Sequence, residues 1–132
     1  MLVIDASVAC DLLLRSRRSS AIADVLASPE ESLHAPSIFT TECLNVARRR
    51  HVRREMSATD VDRFITELFE LDVEQHELDE TQARLMPRLF ANVTAMDAAY
   101  VTLAQQLGAT LVTLDTRLSD AAARQCDVIL FR

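Results

Sequence analysis

Short apolar segments alternate along this chain with longer segments in which apolar residues recur at helical spacing, and this alternation strongly constrains the fold. The strand-like segments are residues 2–4, 33–35, 71–74, 110–114 and 128–130. Strands that are separated by helices pair in parallel, because a tight hairpin cannot join them. The pattern therefore predicts an α/β fold with a short, mostly parallel central sheet and helices on both faces. The length of 132 residues suits a single domain, residues 1–132.

Start and stop signals bound several of the predicted helices. Residues 57–60, "SATD", have the pattern of a capping box, and residues 94–97, "TAMD", open another helix that Gly108 should end. Pro87 should kink or stop the helix predicted over residues 78–90. In the helix that begins at residue 94, the spacing predicts four residues facing the core, namely Met96, Tyr100, Leu103 and Leu107.

The composition excludes several classes of function. The three cysteines are scattered without the spacing of a zinc cage or a disulfide framework. The single Gly leaves no glycine-rich phosphate loop, and His34, His51 and His76 show no metal-ligand spacing. No apolar run is long enough to span a membrane, and no charged segment precedes one at the N-terminus. We therefore expect no membrane association and a cytoplasmic location.

Two of the strand-like segments end in a carboxylate. Asp5 follows "LVI" and Asp115 follows "TLVTL". Asp is a favoured N-cap, so each carboxylate could simply satisfy the free N–H groups of the following helix. In open parallel sheets, however, ligands bind beyond the carboxyl ends of the strands, and both acids occupy such ends. Glu42 and Asp97 fall early in helices near the same edge, where they could instead be an exposed acid and a capping-box residue.

Four carboxylates at one edge of a sheet would repel each other and raise one another's pKa values. A hard divalent cation removes that cost to folding. Oxygen ligands without His or Cys favour Mg²⁺ or Mn²⁺ over zinc, and four acids could hold one ion or two.

Three longer segments carry a family resemblance: "VIDASVACDLL", "APSIFTTECLNVA" and "TAMDAAYVTLAQQLGATLVTLDTRL". In order and spacing they resemble the motifs of PIN-domain ribonucleases, and they look most like the small toxins of VapBC toxin–antitoxin pairs. The resemblance covers nearly the whole chain, with a looser match from about residue 55 to residue 90.

This resemblance implies a set of site residues and an activity. The acids that it makes metal-binding and catalytic are Asp5, Glu42, Asp97 and Asp115. Ser7 and Thr113 match small polar positions beside the metal site, with a supporting role. The resemblance also implies RNA cleavage that depends on Mg²⁺ or Mn²⁺, a homodimer, and inhibition by a cognate antitoxin. The alternative is a catalytically silent PIN-like module that binds RNA or a protein, and the presence of all four acids argues against it.

All fourteen cationic residues are Arg, and eight of them lie in two clusters, "RSRR" and "RRRHVRR". They offer phosphate contacts on a protein whose net charge is −6. If the helix that contains Glu42 continues, Arg49 and Arg53 return to roughly the same stripe, where RNA phosphates could follow them. Alternatively, these arginines pair with the abundant Asp and Glu, or they end a helix at the negative pole of its dipole.

Overall fold

The computed structural model describes residues 1–132 and contains five strands and seven α-helices. The strands are β1 Leu2–Ile4, β2 Leu33–Pro36, β3 Val73–His76, β4 Thr110–Thr113 and β5 Val128–Leu130. The α-helices are α1 Ala6–Leu13, α2 Ser19–Leu26, α3 Phe39–Val52, α4 Ala58–Glu70, α5 Glu80–Leu85, α6 Ala95–Leu107 and α7 Thr116–Ala122, and a 3₁₀ helix, Met86–Leu89, follows α5. No helix combines the length and the apolar character that a bilayer crossing requires.

All five strands pair in parallel, in the spatial order β3-β2-β1-β4-β5. Strand β1 is central, so the chain crosses from one side of it to the other between β3 and β4. This topology confirms the predicted α/β fold with a parallel sheet. Strand β3 is displaced furthest from its prediction, since it begins two residues later than residue 71.

Strand β1 shows that both faces of the sheet are covered. Leu2, Val3 and Ile4 are each at most 4% exposed, although successive side chains of a strand point to opposite faces. Helices therefore pack on both faces, as predicted. The buried apolar residues form one continuous core that also includes Tyr100 of α6.

The predicted helix signals are present with one exception. Ser57 and Asp60 form the reciprocal bonds of a capping box, and Pro87 lies in the first turn of the 3₁₀ helix that follows α5. Tyr100 is buried as predicted, but Met96 is 55% exposed. The prediction for Met96 is wrong because the first turn of α6 lies at the rim of a cavity, and Met96 is one of its lining residues.

Gly108 ends α6 in the left-handed conformation, with φ of +60°. No atom lies within 4 Å of the position that a Cβ would occupy, so only the backbone disfavours a side chain there. We expect Gly108→Ala to lower the free energy of unfolding, measured by urea denaturation, by about 1 kcal/mol. Gly108→Asn should lower it less, because Asn tolerates this conformation better than Ala. Equal stability of the Ala variant and the wild type would contradict this explanation.

Candidate active site

The carboxyl ends of β1 and β4 meet at the centre of the sheet. The two strands are hydrogen-bonded neighbours, with Ile4 opposite Val112. The strand order reverses between them, because β2 and β3 lie on one side and β5 on the other. Such a reversal leaves a crevice in which open parallel sheets bind ligands. Asp5 follows β1 directly and Asp115 follows β4 after one residue, so both acids flank this crevice.

Two hydroxyl groups fix the carboxylate of Asp5. Its Oδ2 accepts hydrogen bonds from Ser7 Oγ at 2.7 Å and from Thr113 Oγ1 at 2.9 Å. Thr113 Oγ1 in turn accepts the backbone N–H of Asp115 at 3.0 Å. These bonds tie together the segments that follow the two central strands. Both hydroxyl groups donate to Oδ2, so Oδ1 of Asp5 accepts no hydrogen bond from another side chain.

The capping interpretation is correct for Asp115 but not for Asp5. Asp115 Oδ1 accepts the backbone N–H groups of Arg117 at 2.8 Å and Leu118 at 3.2 Å, so it caps α7. Asp5 occupies the N-cap position of α1, but its side chain makes no capping hydrogen bond. Capping and ligand binding do not exclude each other at Asp115, because its Oδ2 takes no part in the cap.

Glu42 reaches the same edge from the first turn of α3, the helix that follows β2. Its Oε1 accepts a hydrogen bond from the hydroxyl of Tyr100 at 2.9 Å. Burial and the nearby negative charges of Glu42 and Asp5 raise the pKa of Tyr100, so this hydroxyl remains a donor. The sequence pattern predicted only a core position for Tyr100. A signal was available, because a buried Tyr hydroxyl needs a partner and Tyr100 lies three residues after Asp97 on one helix face.

Asp97 lies in the first turn of α6, where only its backbone takes part in capping. Thr94 Oγ1 accepts the backbone N–H of Asp97 at 3.2 Å. The reciprocal bond of a full capping box, which Asp60 makes at the start of α4, is not formed here. The half-buried carboxylate of Asp97 is therefore not committed to the helix end.

All four acids line one cavity of about 730 Å³. Its wall also contains Ser7 and, from α3, Asn45, Arg48 and Arg49. The structure thus brings Arg49 to the acids as the sequence predicts. Asn45 and Arg48 were not predicted, although steps of three residues from Glu42 lead to both along the same side of a helix.

The structure separates the two predicted RNA-contacting arginines. Arg49 lines the cavity, whereas Arg53 does not, because α3 ends one residue before it. The condition that the helix continues is met as far as Val52, so the predicted alignment with Glu42 includes Arg49 but leaves Arg53 at the C-cap. Neither Arg48 nor Arg49 forms an ion pair, while Arg18 of the first cluster pairs with Asp11 at 2.9 Å. Pairing with acids thus accounts for part of each cluster, since Arg50 of the second cluster pairs with Glu55, and it leaves the two cavity arginines free.

Burial and mutual repulsion raise the pKa values of three of the acids. For Asp5, Glu42 and Asp97, burial is the largest cause of the raised pKa. The charge of Asp115 adds to the effect at Asp5 and Asp97, and the charge of Asp5 adds to it at Glu42. None of the four acids forms an ion pair. The cavity therefore holds negative charge that no direct cationic partner neutralises.

This set of oxygen donors fits a hard divalent cation. Carboxylate oxygens suit Mg²⁺ and Mn²⁺, whereas zinc sites usually include nitrogen or sulfur ligands. No three of the four acids bring their oxygens within 4.8 Å of one another, so they do not form a closed cage. As placed, at most two of the acids can therefore contact one ion directly, and Mg²⁺ accepts so few protein ligands because it keeps several waters and often completes its coordination with substrate phosphate.

Comparison with known proteins identifies one family. The PIN domain family matches residues 2–124. A VapC ribonuclease of Mycobacterium bovis is 34% identical over 128 residues, which are 97% of this chain and 96% of that protein.

Two solved structures have a similar fold. VapC20 of Mycobacterium tuberculosis, described as a sarcin-ricin loop cleaving toxin, aligns with a TM-score of 0.68 at 12% identity, over 92% of this chain and 95% of that one. VapBC2 of Rickettsia felis, bound to a DNA fragment from their promoter, gives a TM-score of 0.70 at 11% identity, over 99% and 98% of the two chains. At these identities the likeness establishes the fold alone.

The raised pKa values predict how the stability of the metal-free protein depends on pH. Asp97 has an ordinary pKa of 3.8, and its folded-state pKa lies above that value. Between the two values the folded state binds a proton that the unfolded state releases, so stability should rise as the pH falls through the folded-state pKa. Asp97→Asn removes this titration. The stability of the variant relative to the wild type should therefore be greatest at pH 7 and smallest near pH 4. Thermal unfolding in the presence of a chelator measures this difference.

Asp24→Asn is the matched control for this comparison, because Asp24 is exposed on α2 and does not line the cavity. Its stability difference from the wild type supplies the baseline for the removal of one exposed carboxylate. A difference between wild type and Asp97→Asn that stays constant over the same range would contradict the raised pKa of Asp97.

Proposed function

This chain belongs to the PIN-domain family, and from that premise we propose that it is a metal-dependent endoribonuclease and the toxin of a toxin–antitoxin pair. The observation that carries the proposal is that four carboxylates, none of which forms an ion pair, converge on one cavity. A module that only binds RNA or protein gains nothing from mutually repelling charges, which disfavour folding. The similarity to a VapC ribonuclease also extends over nearly the full length of both chains.

We assign four ligands to Mg²⁺ or Mn²⁺, as one ion or two: Asp5, Glu42, Asp97 and Asp115. When bound, such an ion lowers the pKa of a water that becomes the nucleophile and neutralises charge on the phosphate. Asp5 presents Oδ1 and Asp115 presents Oδ2, because the protein already holds the other oxygen of each carboxylate. The donor set contains no nitrogen or sulfur, which supports the choice of a hard cation.

Hydroxyl groups position two of these acids. Ser7 and Thr113 both donate to one oxygen of Asp5, so the carboxylate cannot rotate freely and its second oxygen keeps its direction. Tyr100 does the same for Glu42 from within the core. This pre-organisation lowers the entropy that the side chains lose when they bind an ion.

The RNA substrate requires cationic contacts, because the net charge of the protein is −6. Arg48 and Arg49 are exposed, unpaired and part of the wall of the acidic cavity. Arg binds phosphate through its planar, multiply donating guanidinium group. We assign these two residues to contacts with the RNA backbone beside the cleaved bond. Such contacts position the substrate without selecting its bases.

Control of the enzyme follows from the same family. A cognate antitoxin would cover the acidic cavity, and an Arg side chain from it would neutralise the four carboxylates in place of a metal ion. The fold likeness to VapBC2 of Rickettsia felis is compatible with such a partner. We further propose that residues 1–132 act as one domain, that two copies form a homodimer, and that the enzyme works in the cytoplasm, where its RNA substrate is made.

The metal site can be separated from a structural role by one substitution. Asp97→Asn removes a charge from a residue that makes no reciprocal capping bond, so the metal-free variant should be at least as stable as the wild type. Its RNA cleavage should fall roughly 100-fold or more, because the ion generates the nucleophile. The rise in melting temperature that Mg²⁺ or Mn²⁺ gives by binding the folded state should also be lost or strongly reduced.

Asp24→Asn again serves as the control and should keep both the cleavage and the metal-induced rise in melting temperature. Excess EDTA should abolish cleavage by the wild type, and Mg²⁺ or Mn²⁺ should restore it. Cleavage by Asp97→Asn at the wild-type rate, or by the wild type in EDTA, would refute the assignment.

The role of the arginines predicts a change in substrate binding rather than in chemistry. Arg49→Gln should raise KM for a short RNA several-fold with little change in kcat. It should also lower the salt dependence of binding. The slope of log K for RNA binding against log salt concentration should become shallower by about 0.7, because one contact to single-stranded RNA is lost. Arg17→Gln is the control, because Arg17 is exposed and unpaired but lies outside the cavity.

Arg53→Gln tests the second predicted RNA contact in the same assay. Because Arg53 lies beyond the end of α3 and outside the cavity, an effect equal to that of Arg49→Gln would extend the RNA path past the helix. If Arg49→Gln leaves both KM and the salt dependence of binding unchanged, Arg49 does not contact the RNA.

A further inference from the structure

A second cluster of metal-ligating side chains lies outside the acidic cavity, on β2 and the edge strand β3. The register pairs His34 with Glu74 and Pro36 with His76. Because alternate residues of a strand point to the same face, His34, Glu74 and His76 all project from one face of the sheet. The sequence shows no metal-ligand spacing among the histidines, and the strand register brings two of them together instead.

We propose that His34, Glu74 and His76 form a binding site for a divalent transition metal, with Zn²⁺ as the preferred ion. The site is independent of the acids assigned to catalysis, since none of its residues lines their cavity. Two imidazole nitrogens and one carboxylate, with a fourth position open to water, are a donor set that zinc accepts readily and Mg²⁺ does not.

The three side chains bring one donor atom each to within 4.8 Å of the other two, which is close to the spacing that a tetrahedral ion requires. His34 Nδ1 lies 2.9 Å from His76 Nε2 and 3.6 Å from a carboxylate oxygen of Glu74, and His76 Nε2 lies 3.9 Å from the other oxygen. Ligand distances of 2.0–2.2 Å in a tetrahedral zinc site place donor atoms about 3.3–3.5 Å apart. The two ring nitrogens therefore need to separate by a few tenths of an ångström, and the proton of the hydrogen bond between them moves from Nε2 to Nδ1 of His76 when the ion binds.

The imidazole of His34 is already oriented for binding. Ser32 Oγ lies 2.8 Å from His34 Nε2 and can accept its proton, which leaves the lone pair of Nδ1 directed at the other two ligands. A hydrogen bond of this kind fixes the tautomer and the ring plane of a metal-binding histidine. His34 is 5% exposed, and this burial lowers its pKa, which favours the neutral ring.

The outer half of the site is open to solvent. The side chain of Glu74 is 69% exposed and that of His76 is 24% exposed, whereas that of His34 is 7% exposed. An ion can therefore enter from the Glu74 side and keep a water as its fourth ligand. Strand β3 pairs with β2 alone, and a bound ion would add a second link between these two strands.

Zinc binding can be measured on the full chain with Cys126→Ser, because Cys126 is the only cysteine that is not fully buried. Titration by calorimetry in excess Mg²⁺, which competes for the acidic cavity, should give one zinc ion per chain. At a free zinc concentration about 100 times Kd, the melting temperature should rise by roughly 5–10 °C. Co²⁺ in place of zinc should give the visible absorption of a four-coordinate ion.

Three variants in this background locate the site. Glu74→Gln and His76→Gln should each weaken zinc binding at least about tenfold and remove the cobalt absorption, because each removes one of three protein ligands. His51→Gln is the matched control, since His51 lies on α3 with its Nδ1 2.9 Å from the Met56 carbonyl oxygen, and it should bind zinc normally. Glu74 is exposed, so its variant remains informative even if His76→Gln unfolds.

Two further readouts separate this site from the catalytic one. Asp97→Asn should keep zinc binding, and Glu74→Gln should keep the Mg²⁺-dependent cleavage of RNA. The proposal is overturned if the Cys126→Ser protein binds no zinc, if Glu74→Gln binds it as tightly as that protein, or if Asp97→Asn abolishes binding. The zinc-binding test does not depend on RNA cleavage. It stands whether Asp97→Asn loses cleavage or the wild type shows none.

Discussion

The pairing of β1 with β4 is the constraint on which the rest of the site depends. It sets the ends of two strands side by side, so Asp5 and Asp115 share one crevice. The hydrogen bond from Thr113 to Asp5 crosses this junction and holds the two segments in register with each other. The acids on α3 and α6 then complete a charged pocket whose repulsion the surrounding apolar core must offset. The acids needed for function therefore destabilise the fold at this edge until a cation or a partner neutralises them.

Much of this arrangement could be predicted because it follows from local patterns. The apolar runs fix where strands end, and parallel strands place those ends at one edge, which is enough to indicate Asp5 and Asp115. Capping signals locate the starts of α4 and α6, so the acidic first turn of α6 was also accessible from the sequence. Whether a strand-end acid also caps a helix could not be predicted, since Asp5 and Asp115 both occupy N-cap positions and only the side chain of Asp115 makes capping bonds.

The features that escaped prediction depend on contacts between distant segments or on where a helix ends. The bond between Tyr100 and Glu42 joins residues 58 positions apart, and no local period reports it. The meeting of His34 with His76 depends on the register between β2 and β3, which side-chain alternation alone does not set. Helical spacing assumes that one face stays buried along the whole helix, and this assumption fails at Met96, where the first turn of α6 extends to the cavity rim.

The separation of the two central strands in the chain also governs when the site can exist. Thr113 and Asp5 are 108 residues apart, so their hydrogen bond belongs to the least local class of contact and forms only after a long loop has closed. During synthesis the segment with Asp5 emerges from the ribosome first and lacks its neighbouring strand until β4 follows. The nascent chain therefore carries no assembled acidic cavity until most of it has been synthesised.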